Sequence, residues 1–319
     1  MRVSCLIAIA LTWALTQTPA NAQSCNFSIS NLDFGSINLA SNTTFTSTAS
    51  LSVSCTGTAN STMRVCPNID AGSGGTTSGD PRFLLNGGQP LNYNLFQDGA
   101  YTAVWGSYLW GYSGSFPSPT IDITLNGSGI GNGTRTIYGK ISAGQQTLAA
   151  GAYASGFVGG QTTMAYDYAT FGTCATIGSN HGTSAAFTVS ATNISTCSVS
   201  ATTMNFGSSG VLQSALEATG NIAVTCTNSA PYTIALDGGN AAASDPTQRQ
   251  MARASETITY GLYRNTSYTQ PWGDSAGVNV ASGTGTGLTQ NYTVYGRVPA
   301  QLTPSPGTYT DTVVVTLNY

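Results

Sequence analysis

Charge is what this 319-residue chain has least of: Asp, Glu, Lys and Arg together supply 7% of it, and Lys140 is its single lysine. Nucleic-acid binding rests on clustered positive charge, so arginines scattered along the chain exclude that class of partner. Histidine is equally scarce. His181 stands alone, and no cysteine pair has zinc-ligand spacing, so neither a metal nor any other cofactor is implied. A Ser-His-Asp triad could draw only on His181, which sits in a Gly-Ser-Asn-His-Gly turn, and no Gly-x-Ser-x-Gly elbow precedes a helix. Carboxylates for glycoside hydrolysis exist in Asp70, Asp80, Asp98 and Asp122, but Asp70 has a turn counterpart in Asp237, which suits a loop role better. The chain reads as non-enzymatic.

Long apolar runs are also missing, apart from one at the start. Nothing later approaches the 18 or so consecutive apolar residues of a membrane helix. The opening itself, Met1-Arg2, an apolar stretch over residues 3–15 and then Pro19-Ala20-Asn21-Ala22, has the form of a secretory signal peptide spanning 1–22. Cys25 does not follow a small-residue site directly, which argues against a lipid anchor. Export of the mature protein follows. Of the seven cysteines, Cys5 leaves with the signal peptide, and Cys25, Cys55, Cys66, Cys174, Cys197 and Cys226 remain. An even set in an exported chain reads as disulfides.

What the chain does have is Ser, Thr, Asn and Gly around alternating Val, Ile, Tyr and Leu, and it has it twice. Cys25-Asn26-Phe27-Ser28 with Leu32-Asp33-Phe34-Gly35 returns as Cys197-Ser198-Val199-Ser200 with Met204-Asn205-Phe206-Gly207. Ser54-Cys55-Thr56 returns as Thr225-Cys226-Thr227, Ile69-Asp70 as Leu236-Asp237, and Tyr93-Asn94-Leu95-Phe96 as Tyr260-Gly261-Leu262-Tyr263. Trp105-Gly106 returns as Trp272-Gly273, Tyr138-Gly139-Lys140 as Tyr295-Gly296-Arg297, and Gly151-Ala152-Tyr153 as Gly307-Thr308-Tyr309. Such order means tandem copies of one unit. Period-two alternation broken by Asp-Gly, Asn-Gly and Gly-Gly turns makes each unit an all-β, immunoglobulin-like sandwich. The repeat pairs Cys25 with Cys55 and Cys197 with Cys226, each loop worth roughly 3.6 kcal/mol in the chain-entropy model. Cys66 and Cys174 have no counterparts and are paired with each other.

Residues 187–194 form a strand between the copies, with Phe187, Val189 and Ala191 on one face. Either this strand completes the first copy, leaving the second a strand short with an open edge, or it is simply the first strand of the second. The expected division is 23–180 as a first domain, 181–194 as a linker or donor-like strand, and 195–319 as a second domain.

An early Cys, an [LM]-x-F-G turn, Tyr-Gly-[RK] and a closing Gly-x-Tyr-x-Asp-x-Val-x-Val-Thr-Leu-x-Tyr together resemble the spore coat protein U domain, which pilins of archaic Csu-type chaperone-usher pili carry. The resemblance spans the mature chain twice and is closest in the second copy. It implies a pilin-type sandwich lacking one strand, completed first by a periplasmic chaperone and then, at an outer-membrane usher, by the adjacent pilin subunit. Shaft subunits carry a strand-donating extension ahead of the first cysteine, whereas only Gln23 and Ser24 precede Cys25 here. That implies a two-domain tip adhesin, used for attachment and biofilm formation, with Val313, Val315, Leu317 and Tyr319 at the chaperone- and shaft-binding edge. A self-standing coat or matrix protein and a glycan-binding lectin are the alternatives.

Between Trp105 and Thr136 the first copy is longer than the second, and the extra length is aromatic. Large rigid side chains on glycine-rich turns suit a binding surface. The candidates for contact with a hydrophobic surface or receptor are Tyr101, Val104, Trp105, Tyr108, Leu109, Trp110, Tyr112 and Phe116, with Leu148 from the 145–150 turn. Trp105 is the one most open to a core role, because Trp272 matches it.

Overall fold

The computed structural model describes residues 22–76, 81–109 and 117–319. The first copy contributes β1 (Ser24–Ile29), β2 (Leu32–Ile37), β3 (Phe45–Thr56), β4 (Thr62–Ile69), β5 (Arg82–Asn86) and β6 (Gln89–Phe96). It continues with β7 (Ile121–Thr124), β8 (Ile130–Ile141), β9 (Gly151–Phe157), β10 (Thr162–Tyr168), the short helix α1 (Cys174–Ile177) and β11 (Phe187–Asn193). The second copy supplies β12 (Cys197–Ala201), β13 (Leu216–Cys226), β14 (Pro231–Leu236) and β15 (Arg249–Arg253), then β16 (Glu256–Tyr263), β17 (Ala281–Thr284), β18 (Thr289–Val298) and β19 (Val315–Asn318).

Alternation makes these strands. In β3, Ala49, Leu51, Val53 and Cys55 are buried while the intervening Thr and Ser residues face outward, the one-sided burial expected of an antiparallel sheet packed on a second. The sheets then repeat as the sequence does. The first sandwich packs an eight-stranded sheet, β1-β3-β8-β6-β5-β9-β11-β2, on the three strands β10-β4-β7. The second packs β12-β13-β18-β16-β15 on β17-β14-β19. Up to β5 and β15 the large sheets correspond strand for strand. Beyond that point the first continues with β9, β11 and β2, and the second stops.

Two cores result, one centred on Leu32, Leu51, Met63, Tyr93, Trp105 and Phe157 and the other on Val224, Ile234, Tyr260 and Trp272. Each tryptophan donates its indole N–H across the sandwich at 2.9 Å, Trp105 to the Pro67 carbonyl and Trp272 to that of Ile234. Disulfides join Cys25 to Cys55, Cys197 to Cys226, and Cys66 to Cys174. The first two lie between directly opposed strand residues, and the third fixes α1 to β4. The glycines at 156, 159 and 160 mark the place where one long strand leaves the large sheet as β9 and enters the small one as β10.

β11 decides the question left open by the sequence. It runs antiparallel to β9, with Phe187 opposite Phe157 and Asn193 opposite Gly151, and parallel to β2, with Val189 opposite Leu32. It is therefore the closing strand of the first sandwich. The reading in which it opens the second and completes it is corrected, because all its ladder bonds go to β9 and β2.

An unfilled strand slot as the candidate functional site

In the first sandwich β11 lies between β2 and β9 and buries Phe187, Val189, Ala191 and Asn193. Phe187 stacks on Phe157 with ring centroids 4.4 Å apart. The second sandwich keeps both walls of this slot. Residues 204–209 correspond to β2: Gly296 faces the Met204 and Phe206 side chains as Gly139 faces Leu32 and Phe34, an approach that leaves no room for a Cβ. Phe206 meets Tyr260 edge-on, as Phe34 meets Tyr93. Residues 307–313 correspond to β9, and the bridge Ala252–Thr310 repeats Leu85–Ala154. Between the walls, where β11 would run, are two adjoining depressions of about 420 and 610 Å³ that share Met204, Phe206, Met251 and Tyr309. Consequently Met204, Tyr309 and Val313 are only half-buried, whereas Leu32, Tyr153 and Phe157, which they match, are fully buried.

A polar network fixes the wall at 307–313. Tyr260 donates its hydroxyl to Asp311 Oδ2 at 2.6 Å, and the Asn240 and Thr312 amides donate to Oδ1 at 2.8 Å each. Asp237 accepts from the Val314 amide at 2.9 Å. Behind them Arg249 is fully buried and donates to the carbonyls of Asp237, Pro246, Leu236 and Trp272. Burial, reinforced by the hydrogen bond to Asp311, pushes the Tyr260 phenol well above its usual range. Burial also lowers the Arg249 guanidinium from its ordinary value, opposed by Tyr260, Asp237 and Asp311. The site is thus an apolar slot with one carboxylate in its wall.

Of the four residues placed at this edge from sequence, Val313 and Val315 line the slot. Leu317 and Tyr319 do not: Leu317 pairs with Ile234 within the small sheet and packs on the core, and Tyr319 is exposed beyond the last strand. Met204, Phe206, Met251, Tyr260 and Asp311 were missed as site residues, although the repeated [LM]-x-F-G turn already marked the first two.

The aromatic candidates separate as sharply. Trp105 is corrected to the core at 0% exposure, held by its indole bond, and Val104 is buried against Ala71 and Phe96. Tyr101, with φ +58°, packs edge-on to Phe96 and Tyr138 beneath Lys140. Tyr268, with φ +55°, repeats that arrangement with Tyr263 and Arg297, so Tyr101 belongs to the shared scaffold. Leu148 lies on a turn that faces the second sandwich: Asn228 donates to the Thr147 carbonyl at 2.6 Å and bridges Ala149. Tyr108 is 45% exposed and Leu109 half-buried, on a stem anchored by the Tyr108 amide to Asn68 Oδ1 at 2.8 Å and closed by Gly106 to Pro117. Trp110, Tyr112 and Phe116 lie outside the described residues.

Among the exposed apolar side chains that the sequence did not single out are Ile130, at 46%, and Phe171, at 69%. Both lie at the end of the first sandwich away from the second, since Ile130 pairs with Thr56 there, and Phe45 pairs with Ile141 at the near end. Loops at the far end are tied together by Thr58 to the Tyr168 hydroxyl, Gly57 to Gly129, and Arg64 to both Asp122 and Gly172. Asp122 is thus committed to an ion pair and Asp98 to capping its own turn. His181 stacks on Tyr166.

Fold and slot define a two-domain immunoglobulin-like β-sandwich protein whose second domain is one strand short. The Spore Coat Protein U domain matches residues 11–158 and again 183–316, and the chain belongs to that family. The second match opens ahead of β11: by sequence β11 leads the second repeat, and by hydrogen bonding it closes the first. Protein U of Myxococcus xanthus is 34% identical over 129 residues, 37% of this chain and 72% of that protein. Among solved structures, the CsuC-CsuE chaperone-tip adhesion subunit pre-assembly complex from archaic chaperone-usher Csu pili of Acinetobacter baumannii contains a chain that superposes with a TM-score of 0.53. That match has 18% identity and covers 93% of this chain and 100% of the other, a likeness of fold. The CupB6 tip adhesin of Pseudomonas aeruginosa gives 0.39 at 11% identity, covering 92% and 93%.

Proposed function

We propose that this protein is the adhesive tip subunit of a chaperone-usher pilus, its second domain joined to the assembly by a strand that a partner inserts into the open slot. The observation that carries the reading is internal to the chain. β11 leads one repeat in sequence and fills the slot of the other, an arrangement that supports insertion of a partner's strand into the second slot. A periplasmic chaperone supplies the missing strand first, and the adjacent pilin subunit replaces it at the outer-membrane usher. An open edge beside an apolar groove is an aggregation hazard until filled, which is why a chaperone is needed. Attachment, and with it biofilm formation, falls to the first domain through Tyr108 and Leu109 on their anchored stem, Phe171 and Ile130 at the far end, and on sequence grounds Trp110, Tyr112 and Phe116.

The reading is tested by exporting the full chain with and without its chaperone. Soluble, protease-resistant protein is expected only in the presence of the chaperone, and Phe206→Asp in the slot is expected to abolish chaperone capture. Phe171→Asp with Tyr108→Asp should lower surface attachment at least tenfold while chaperone capture is unchanged. A chain that is stable and monomeric by itself would instead favour a free-standing coat or matrix protein.

A further inference from the structure

The slot is not uniform, and its one charged wall residue has no equivalent in the filled slot. The two walls align residue for residue: Phe157 corresponds to Val313, Ser155 to Asp311, Tyr153 to Tyr309 and Gly151 to Gly307. The alignment is fixed by the Ala154 and Thr310 bridges to β5 and β15. In the first sandwich these four wall positions face Phe187, Val189, Ala191 and Asn193 of β11. There Ser155 is 1% exposed beneath Val189, and its hydroxyl accepts the Gly74 amide at 3.0 Å. A neutral hydroxyl with a partner of its own tolerates an apolar cover. A carboxylate in that place does not.

Asp311 already accepts from Tyr260, Asn240 and Thr312, and a carboxylate has about four acceptor sites. Laying a valine over it strips away the remaining water and offers no donor in return. Resting on the slot reading above, we infer that Asp311 selects the partner strand. The inserted segment carries a large apolar residue facing Val313, a hydroxyl or amide side chain such as Ser, Thr or Asn facing Asp311, and a small residue facing Tyr309. It runs antiparallel to residues 307–313 and parallel to residues 204–209.

The same carboxylate sets register. Slipping the strand by one residue turns its apolar face outward. Slipping it by two brings the large apolar residue that should face Val313 over Asp311. A strand that sets an apolar residue opposite Asp311, as β11 would with Val189, is therefore a poor occupant of the second slot. This keeps the chain's own strand, from this or another copy, from closing the site meant for a different subunit.

The test extends the full chain at its C-terminus by a flexible Gly-Ser linker and a copy of residues 186–194, with the residue equivalent to Val189 made Val, Ser, Asn or Asp. Thermal unfolding and protease resistance of the second sandwich are read against the first as internal reference. In the unaltered chain the Ser and Asn extensions are expected to raise the second midpoint by roughly 5 °C more than the Val extension, with Asp lowest. In the Asp311→Ser chain the order of Val and Ser should reverse. Asp311→Asn, which keeps the size and loses the charge, takes its place if Asp311→Ser fails to fold. Equal stabilisation by Val and Ser in both backgrounds overturns the role of Asp311 while leaving strand insertion intact. No stabilisation by any extension removes the slot reading, and this inference with it.

Discussion

Arg82 and Arg249 occupy the same place in the two sandwiches, fully buried, each with Nε on the carbonyl of an aspartate twelve residues back and Nη2 on a tryptophan carbonyl. In a chain with so few charges they went unread, because each looks like one more scattered arginine; only the fold brings out their shared spacing from the Asp and Trp landmarks. Arg249→Leu keeps the bulk and leaves four carbonyls without that donor, a loss expected to cost the second sandwich about 3 kcal/mol or more in chemical denaturation. Arg249→Lys should recover little of it, since one ammonium cannot span a planar fork. Trp105 shows the opposite limit: its match to Trp272 was visible and already pointed to the core, whereas the pairing of Tyr101 with Tyr268 is legible only once both turns are seen with positive φ beneath a cation. That turn also makes a pH argument. Backbone donation from Ala103, ahead of Thr102 and Ala100, holds the Asp98 carboxyl below its ordinary value. A lowered folded value means that the stabilisation is present above the unfolded pKa of roughly 3.9 and is lost as pH falls through the folded one. The Ala103 amide resonance is expected to stay in place at pH 4 and to shift only in more acid solution; in Asp98→Asn that acid-dependent shift should be missing.

At the scale of the element, β11 carries most of what distinguishes the two halves. Its alternation was plain in the sequence, and so was the lack of a second strand like it. Its allegiance was not, because period two states which residues face inward and not which sheet they face. The slot was hidden for a related reason: its walls are irregular segments in the second sandwich, and their likeness to β2 and β9 appears through Gly296 against Met204 and Phe206 and through the Ala252–Thr310 bridge. What the strand contributes where it is present can be measured. Phe187 is 3% exposed and stacks on Phe157, so Phe187→Ala should cost the first sandwich about 3–5 kcal/mol, read as a fall in its unfolding midpoint with the second sandwich unmoved. A similar fall in both would mean that the strand serves the two domains together.

For the whole molecule, the geometry is head to tail. The end of the second sandwich that carries Asn228 and Gly287 rests on the 145–150 turn of the first, and the matching end of the first exposes Ile130 and Phe171. The joint is made of short polar contacts. Asn193 donates to the Leu148 and Ala149 carbonyls and accepts the Leu39 amide, Thr196 donates to Asn38, and Thr227 accepts the Thr196 amide. Because β11 passes directly into this knot and on to β12, load applied to a strand in the second slot reaches the first sandwich through its own closing strand. Such a connection transmits direction only if the joint is stiff. Asn228 is the contact that can be removed without touching either core, since among the described residues its side-chain amide bonds only across the joint, to Thr147. In Asn228→Ala both unfolding midpoints are expected to stay within about 1 °C, as for an exposed surface change, while small-angle scattering shows a broader spread of interdomain angles. A scattering profile identical to that of the unaltered chain would place the stiffness in the Asn193 and Thr196 bonds and the Ala149–Asn228 backbone bridge, and Asn193→Ala, which also leaves the buried Leu39 amide unpaired, should then loosen the joint and destabilise the first sandwich together.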